Sequence, residues 1–245
     1  DNDVMTGSTG SDDFVFSARD YGDDRITDFT VGTDKIDLSA LYISDLEQLL
    51  PYMSDTAQGV LIDTWYSYSD ESILLTGVTL AQLSASDFVF DVDTNGRTIN
   101  GSNRTDLIFG TLGNDVIHGG DYDDTIRAGA GNDVIRSQDD ASTDNFWGEA
   151  GSDTFDFQTR NFGNDIIRDF TVGVDKIDLS ALFISDLNQL LPYMSDTAQG
   201  VLIDTFYGYS TESITLSGVT LAQLSASDFV FDVDTNGRTI NGSNR

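Results

Sequence analysis

Between residues 101 and 156 the large apolar residues keep a fixed phase. Ile108, Ile117, Ile126 and Ile135 follow one another at nine-residue spacing, Phe146 comes after eleven, and Phe155 returns to nine. Each stands two residues after an aspartate: Asp106, Asp115, Asp124, Asp133, Asp144 and Asp153. The units begin at Gly101, Gly110, Gly119, Ala128 and Gly148, with an eleven-residue variant, SQDDASTDNFW, starting at Ser137. Aspartate holds the sixth place and the apolar residue the eighth; the fourth is glycine, except where Arg104 and Tyr122 replace it in nine-residue units. An apolar residue in this phase points inward from a very short strand, and glycine supplies the tight turn before it. One such unit cannot bury its apolar residue alone, whereas stacked units can. The pattern predicts an all-β fold: a right-handed parallel β-roll with two units per coil, a single file of apolar residues inside and loops facing loops. A flexible glycine-rich linker would have no fixed apolar phase.

A second, longer repeat encloses the first. Residues 11–104 align without gaps on 152–245, and only six of the 62 positions from Ile43 to Arg104 differ from the second copy. Two tandem modules are therefore expected, 1–97 with a shortened repeat array and 98–245. The second divides into the nonapeptide roll 101–156, an extended roll and cap 157–238, and the start of a next repeat at 239–245. Because both ends match the interior of repeats, the chain reads as a piece of a longer array. Val15 is replaced by Asp156 while Phe14 and Phe16 recur as Phe155 and Phe157, which is strand alternation with the phenylalanines inside. ITDF and DKIDL read as further strands continuing the roll. SDLEQLLPYM reads as a short helix with Ser44 as N-cap, Leu46, Leu49 and Leu50 inward, and an end near Pro51. GVLIDTWYSY and ESILLTGVT read as a hairpin, TLAQLSASDF as a helical turn and DFVFDV as a last strand. These pieces predict small β-rich caps with short helices that cover the open end of the roll.

Charge changes the picture from fold to ligand. The formal net charge is -30, and of the 42 acidic residues only Glu47, Glu71, Glu149 and Glu212 are glutamates. Short-armed aspartate turns tightly and reaches a hard cation from a loop. So much uncompensated charge repels itself in a compact state, calls for specifically bound counterions, and argues against nucleic acid as a partner. There is no cysteine, so disulfides and thiolate metal sites are excluded. No apolar run has the length of a membrane span and no cleavable leader opens the chain. Stacked loops would bring the sixth-place carboxylates of neighbouring coils, with carbonyls freed by the glycine turns, into an oxygen-lined row. Such a row suits several Ca2+ ions better than Mg2+ or Zn2+.

These units resemble the RTX nonapeptide GGxGxDxUx, a calcium-binding motif that GTLGNDVIH and AGAGNDVIR match best. The resemblance implies that Asp106, Asp115, Asp124, Asp133, Asp144 and Asp153 are calcium ligands, with Asp3 and Asp12 as their counterparts near the start. DFTVGTDKIDLSAL also resembles the region after the repeats in serralysin-type secreted proteases and in the R-modules of mannuronan C5-epimerases. In that light Asp28, Asp34 and Asp37, with Asp169, Asp175 and Asp178, are calcium or turn aspartates. Asp121, Asp123, Asp139 and Asp140 read as plain solvated acid.

No catalytic constellation is present. The one histidine, His118, falls at the outward ninth place of its unit, HExxH is absent, and nearly every aspartate pair has a competing assignment as a calcium ligand. Trp65, Tyr66 and Tyr68, matched by Phe206, Tyr207 and Tyr209, are either packed or exposed. If exposed, they would suit stacking on sugar rings, with Arg127 and Arg136 among the few cations available to a polyanion. The resemblance implies a secreted bacterial protein exported by type I secretion machinery, folded by calcium outside the cell. It would serve as a binding appendage for an anionic polysaccharide such as alginate, with any catalysis in a separate domain. The alternative is a calcium-stiffened spacer of an adhesin or surface-layer protein.

Overall fold

The computed structural model describes residues 2–18, 21–64, 71–205 and 212–233. Successive nonapeptide units send their strands alternately to two sheets. Leu107–Phe109, Thr125–Arg127 and Asn145–Trp147 lie side by side in one, with Thr98–Asn100, Val116–His118, Val134–Ser137 and Thr154–Phe157 in the other. All these pairings are parallel, with Ile108 beside Ile126, Ile117 beside Ile135, Ile126 beside Phe146 and Ile135 beside Phe155. Each coil therefore consumes two units, as the phase requires. The eighth-place residues are buried, while the flanking seventh- and ninth-place residues of Val116–His118 and Thr125–Arg127 are half-buried. Each such isoleucine or phenylalanine contributes about 1.5–3 kcal/mol through burial.

The roll continues through Asn164–Ile167 and Lys176–Asp178, then ends differently on its two sides. One sheet finishes with Phe229–Val230, while the other turns antiparallel through Ser213–Ser217, Gly200–Asp204 and Met194–Asp196. The first module repeats this plan. Asp13–Val15, Lys35–Asp37 and Phe88–Val89 form one sheet, and Val4–Met5, Asp23–Ile26, Ser72–Thr76, Gly59–Asp63 and Met53–Asp55 the other. Phe14, Phe16, Phe155 and Phe157 are buried and Val15 is exposed, in agreement with the alternation. The hairpin is present too, with Leu61 opposite Leu74. Trp65, Tyr66, Tyr68, Phe206, Tyr207 and Tyr209 lie outside the described residues. Among the described residues, no helix is long and apolar enough to cross a membrane.

Two local expectations are corrected. The helix Leu46–Leu49 is capped by Asp45, whose Oδ1 accepts the Gln48 N–H at 2.9 Å, while Ser44 is buried and donates to Gln48 Oε1. The helix ends at Leu49, near Pro51 as expected, and Pro51 itself sits inside a 3-10 turn, Leu50–Tyr52, where its missing N–H is tolerated. Consequently Leu49 is buried but Leu50 is 42% exposed. The predicted helical turn is two 3-10 turns, Leu80–Gln82 and Ala85–Asp87, each closed by a capping box.

The apolar residues fall into two clusters, and the strand Leu107–Phe109 joins them. Ile108 faces the second roll, while Leu107 and Phe109, also buried, pack into the core of the first module. The Phe109 ring meets Tyr52 edge-on at 5.8 Å between centroids. The nonapeptide phase alone assigns only Ile108 to a core.

Candidate metal centre

Each sixth-place aspartate stands at the corner where a loop enters a strand. Its carbonyl accepts the N–H of the residue that opens the next coil's strand: Thr125 donates to Asp106, Val134 to Asp115, Asn145 to Asp124 and Thr154 to Asp133, all at 2.8 Å. Its own N–H is taken by the carboxylate of the aspartate one coil further on. Asp106 donates to Asp124 Oδ1 (2.8 Å), Asp124 to Asp144 Oδ1 (2.8 Å) and Asp144 to Asp165 Oδ1 (3.0 Å). On the other side Asp115 donates to Asp133 Oδ1 (2.7 Å), Asp133 to Asp153 Oδ1 (2.9 Å) and Asp153 to Asp175 Oδ1 (3.0 Å). Two files of carboxylates thus run along the roll, and all eight of these aspartates are buried.

The ladder uses one oxygen of most carboxylates. Asp106 Oδ1 and the Oδ2 atoms of Asp124, Asp133 and Asp153 are buried without a hydrogen-bond partner. Unpaired buried charge of this kind is strongly unfavourable. The first-place glycines open the space beside these atoms: a Cβ added at Gly119 or Gly148 would fall 2.5 Å from Oδ2 of Asp124 or Asp153. Burial foremost, then the charges of neighbouring carboxylates, pushes Asp124 up to about 9, Asp133 to about 8 and Asp144 and Asp153 to about 7, against the backbone N–H each accepts. Burial also raises Asp165 well above the ordinary carboxylate range. The arginine ion pairs lie elsewhere, Arg97 with Asp91 and Asp93, Arg127 with Glu149, and Arg136 with Asp156.

This donor set fits calcium. It is all oxygen and it is anionic. Among the described residues no three Asp, Glu or His side chains form a preformed cluster. The carboxylates stand in file, so an ion held between coils would complete its shell with main-chain oxygens. When bound, calcium would supply positive charge beside these carboxylates, and Asp106, Asp124, Asp133 and Asp153 are the residues that would hold it.

The remaining candidates divide by position. Asp3 and Asp12 occupy ladder positions, their N–H groups donating to Asp24 Oδ1 (2.8 Å) and Asp34 Oδ1 (3.1 Å), but their own side chains are exposed and half-exposed. Asp28 binds the N–H groups of Gly7 and Ser8, and Asp169 those of Gly148 and Glu149, so each closes the loop one coil earlier. Asp37 and Asp178 are turn residues, accepting from Ser39 and Ser180. Asp123 and Asp140 are not plain solvated acid. Asp123 accepts the Thr143 N–H and Asp140 that of Tyr122, which pins the eleven-residue unit and holds Tyr122 at φ 78° in place of the usual glycine. Asp24 and Asp165 are ladder members that the nonapeptide phase misses. Their signal is present, since Gly163–Ile167 reads GNDII where Gly113–Ile117 reads GNDVI.

Arg127 is held by Glu149 through Nη2 (2.6 Å) and Nε (2.7 Å), and its guanidinium lies 5.6 Å from the Trp147 ring centre. Arg136 pairs with Asp156 at 3.2 Å and lies 3.4 Å from His118 Nε2. His118 is half-buried, and burial with the Arg136 charge lowers its pKa.

Residues 100–135 and 109–143 match the model of the RTX calcium-binding nonapeptide repeat, and residues 1–109 that of the peptidase M10 serralysin C terminal. Two similar solved structures are solution structures of subunits from the Azotobacter vinelandii mannuronan C5-epimerase. AlgE6R2 is 26% identical, with 57% of this chain and 95% of that chain covered and a TM-score of 0.45. AlgE6R3 is 24% identical, with 63% and 88% covered and a TM-score of 0.32. The crystal structure of extracellular lipase LipA from Serratia marcescens is 15% identical, with 94% of this chain and 38% of that chain covered and a TM-score of 0.24. No curated protein sequence matches the chain significantly. The aspartate ladder runs through the residues that match the RTX calcium-binding nonapeptide repeat, 100–143, and the preceding residues 1–109 are similar to the serralysin C terminal.

Proposed function

We propose that residues 1–97 and 98–245 are two non-catalytic modules of a secreted bacterial protein that calcium folds outside the cell after type I export. The observation that carries this reading is the double file of buried aspartates with unpaired carboxylate oxygens at Asp106, Asp124, Asp133 and Asp153. Without a cation the files repel themselves and keep the chain expanded, in a form suited to threading through a secretion channel. Extracellular calcium modules bind at ~10⁻⁴ to 10⁻³ M, which sets the transition between the two compartments, and binding energy becomes folding energy by linkage. The test is a calcium titration followed by far-UV circular dichroism, repeated with magnesium and with Asp115→Ala/Asp133→Ala. Cooperative gain of β-structure with calcium only, weakened by the double substitution, supports the reading; equal folding in chelator overturns it.

Between a polysaccharide-binding appendage and a stiffened spacer, the junction favours the spacer. Arg127 is engaged by Glu149 and Arg136 by Asp156, so the two arginines assigned to an alginate-like polyanion already have carboxylate partners. The first cap meanwhile packs on Leu107 and Phe109 of the following roll. Calorimetric titration of the calcium-loaded protein with alginate oligomers distinguishes the two: heat that substitution of Trp65, Tyr66, Tyr68, Phe206, Tyr207 and Tyr209 removes establishes the appendage, and its absence the spacer.

A further inference from the structure

The two caps have almost the same sequence and different exposure. From Ile43 to Tyr52 the first copy differs from Ile184 to Tyr193 only by Glu47 for Asn188. Yet Ile43, Ser44 and Gln48 are buried, whereas Ile184 is half-buried and Ser185 and Gln189 are exposed. Tyr52 is half-buried; Tyr193 is 52% exposed. Composition therefore does not set this difference.

What covers the first cap is the second roll. Gln48 Nε2 donates to Glu149 Oε2 at 2.9 Å, across the junction. Gly129 lies so close that an added Cβ would come 3.3 Å from Gln48 Nε2. Glu149 is itself oriented by Arg127, and Phe109 meets Tyr52 edge-on. On the second cap the corresponding face borders an open cavity of about 260 Å³, with Ile184, Gln189, Leu190 and Tyr193 on its wall.

We propose that this face of the second cap is a docking platform for a further roll of the same kind. Its occupant presents the equivalents of Leu107, Phe109, Gly129 and the Arg127–Glu149 pair. Two observations select this partner over any other. The same ten-residue surface already receives such a roll in the first module, and residues 234–245 repeat in sequence residues 93–104, the segment that leads from the first cap into its covering roll. Gln189 would donate to the incoming glutamate and Tyr193 would meet the incoming phenylalanine. Each junction would then register the next roll on the previous cap, so an array of such modules is a stiff rod. The inference rests on the roll-to-cap contact and does not require the calcium reading.

The test lengthens the chain by one period, appending a copy of residues 105–245 after Arg245, and follows amide hydrogen exchange in calcium. Circular dichroism first establishes that the added module has folded, so that failure to fold is separated from failure to dock. Docking predicts about tenfold slower exchange over residues 184–193 in the longer chain than in the present one. Gln189→Ala/Tyr193→Ala should restore the faster exchange there in the longer chain. Unchanged exchange over 184–193 beside a folded added module overturns the proposal. So does concentration-dependent association of the present chain that the same double substitution abolishes, since the occupant would then be a second copy.

Discussion

Asp124→Asn separates the two roles of a ladder carboxylate. Asparagine keeps an oxygen for the Asp106 N–H, which lies 2.8 Å from Oδ1, and removes the charge at the buried Oδ2 that has no partner. In chelator the wild-type carboxyl is raised from 3.8 to about 9 by burial and by the charges of Asp144, Asp106 and Asp140. Folding near pH ~7.5 therefore requires uptake of a proton, at about 1.4 kcal/mol per pH unit above the unfolded value, or about 5 kcal/mol as an upper bound. Sharing of the proton among coupled neighbours and entry of water reduce the single-site share to about 1–3 kcal/mol. Asp124→Asn should stabilise the roll by that amount in chelator. In calcium the same substitution removes a charged ligand and should raise the calcium midpoint by about tenfold. Circular dichroism measures the two effects, in chelator as an upward shift of the pH at which β-structure is lost and in calcium as the midpoint of the calcium titration. The reasoning requires opposite signs. Destabilisation of equal size with and without calcium would mean that Asp124 is only a hydrogen-bond acceptor.

The raised carboxyls also set a pH dependence. Their folded-state values lie above the unfolded ones, so in chelator their contribution to stability is present below about pH 4 and is lost as pH rises through about 7 to 9; β-content in chelator should fall over that window. In calcium the sign reverses, because the ion displaces protons, and the calcium midpoint should decrease as pH rises. Phe155→Ala removes a fully buried ring between Phe146 and Phe170 and should cost about 3–5 kcal/mol in calcium, read by urea unfolding. Arg127→Ala removes the ion pair of Glu149, which is half-buried at the junction. It should weaken the coupling of the two modules by about 1–3 kcal/mol, seen as a splitting of the calorimetric transition.

How much was legible depended on whether the information was periodic. The roll, its two-unit coil and its inward file from Ile108 to Phe155 follow from phase alone, because a turn-plus-strand unit has one way to hide its eighth residue. The aspartate columns follow from the same phase, but their length does not. Asp165 and Asp175 close the files from coils that have lost the nine-residue spacing, and only the local phrase GNDII marks the first of them. The junction was not legible. Leu107 and Phe109 sit at seventh and ninth places, which the pattern turns outward, and only a second module at that position buries them. Nor was the cap at Asp45. Ser44 and Asp45 are both good N-cap residues, and burial of Ser44 against Gln48 decides between them.

The direction of the ladder links folding to calcium more tightly than composition alone does. Each aspartate N–H is satisfied by the carboxylate of the following coil, so every coil leaves a polar group unsatisfied until its successor has formed. The files therefore need terminators, and the second module supplies local ones. Ser137 donates its hydroxyl to Asp165 Oδ2 at 2.8 Å, and the Thr171 N–H reaches Asp175 Oδ2 at 2.7 Å. Both lie where the roll passes into its antiparallel end, so the last carboxylates are bonded on both oxygens, whereas Asp106, Asp124, Asp133 and Asp153 further up the files each keep one oxygen unpaired. The unpaired oxygens are thereby confined to the nonapeptide coils, where the loops are glycine-rich. A cation bound there joins consecutive coils that the hydrogen-bond ladder already couples in one direction. Loss of one ion should then loosen its neighbours as well, which makes a steep calcium titration, rather than a sum of independent sites, the expected behaviour of this architecture.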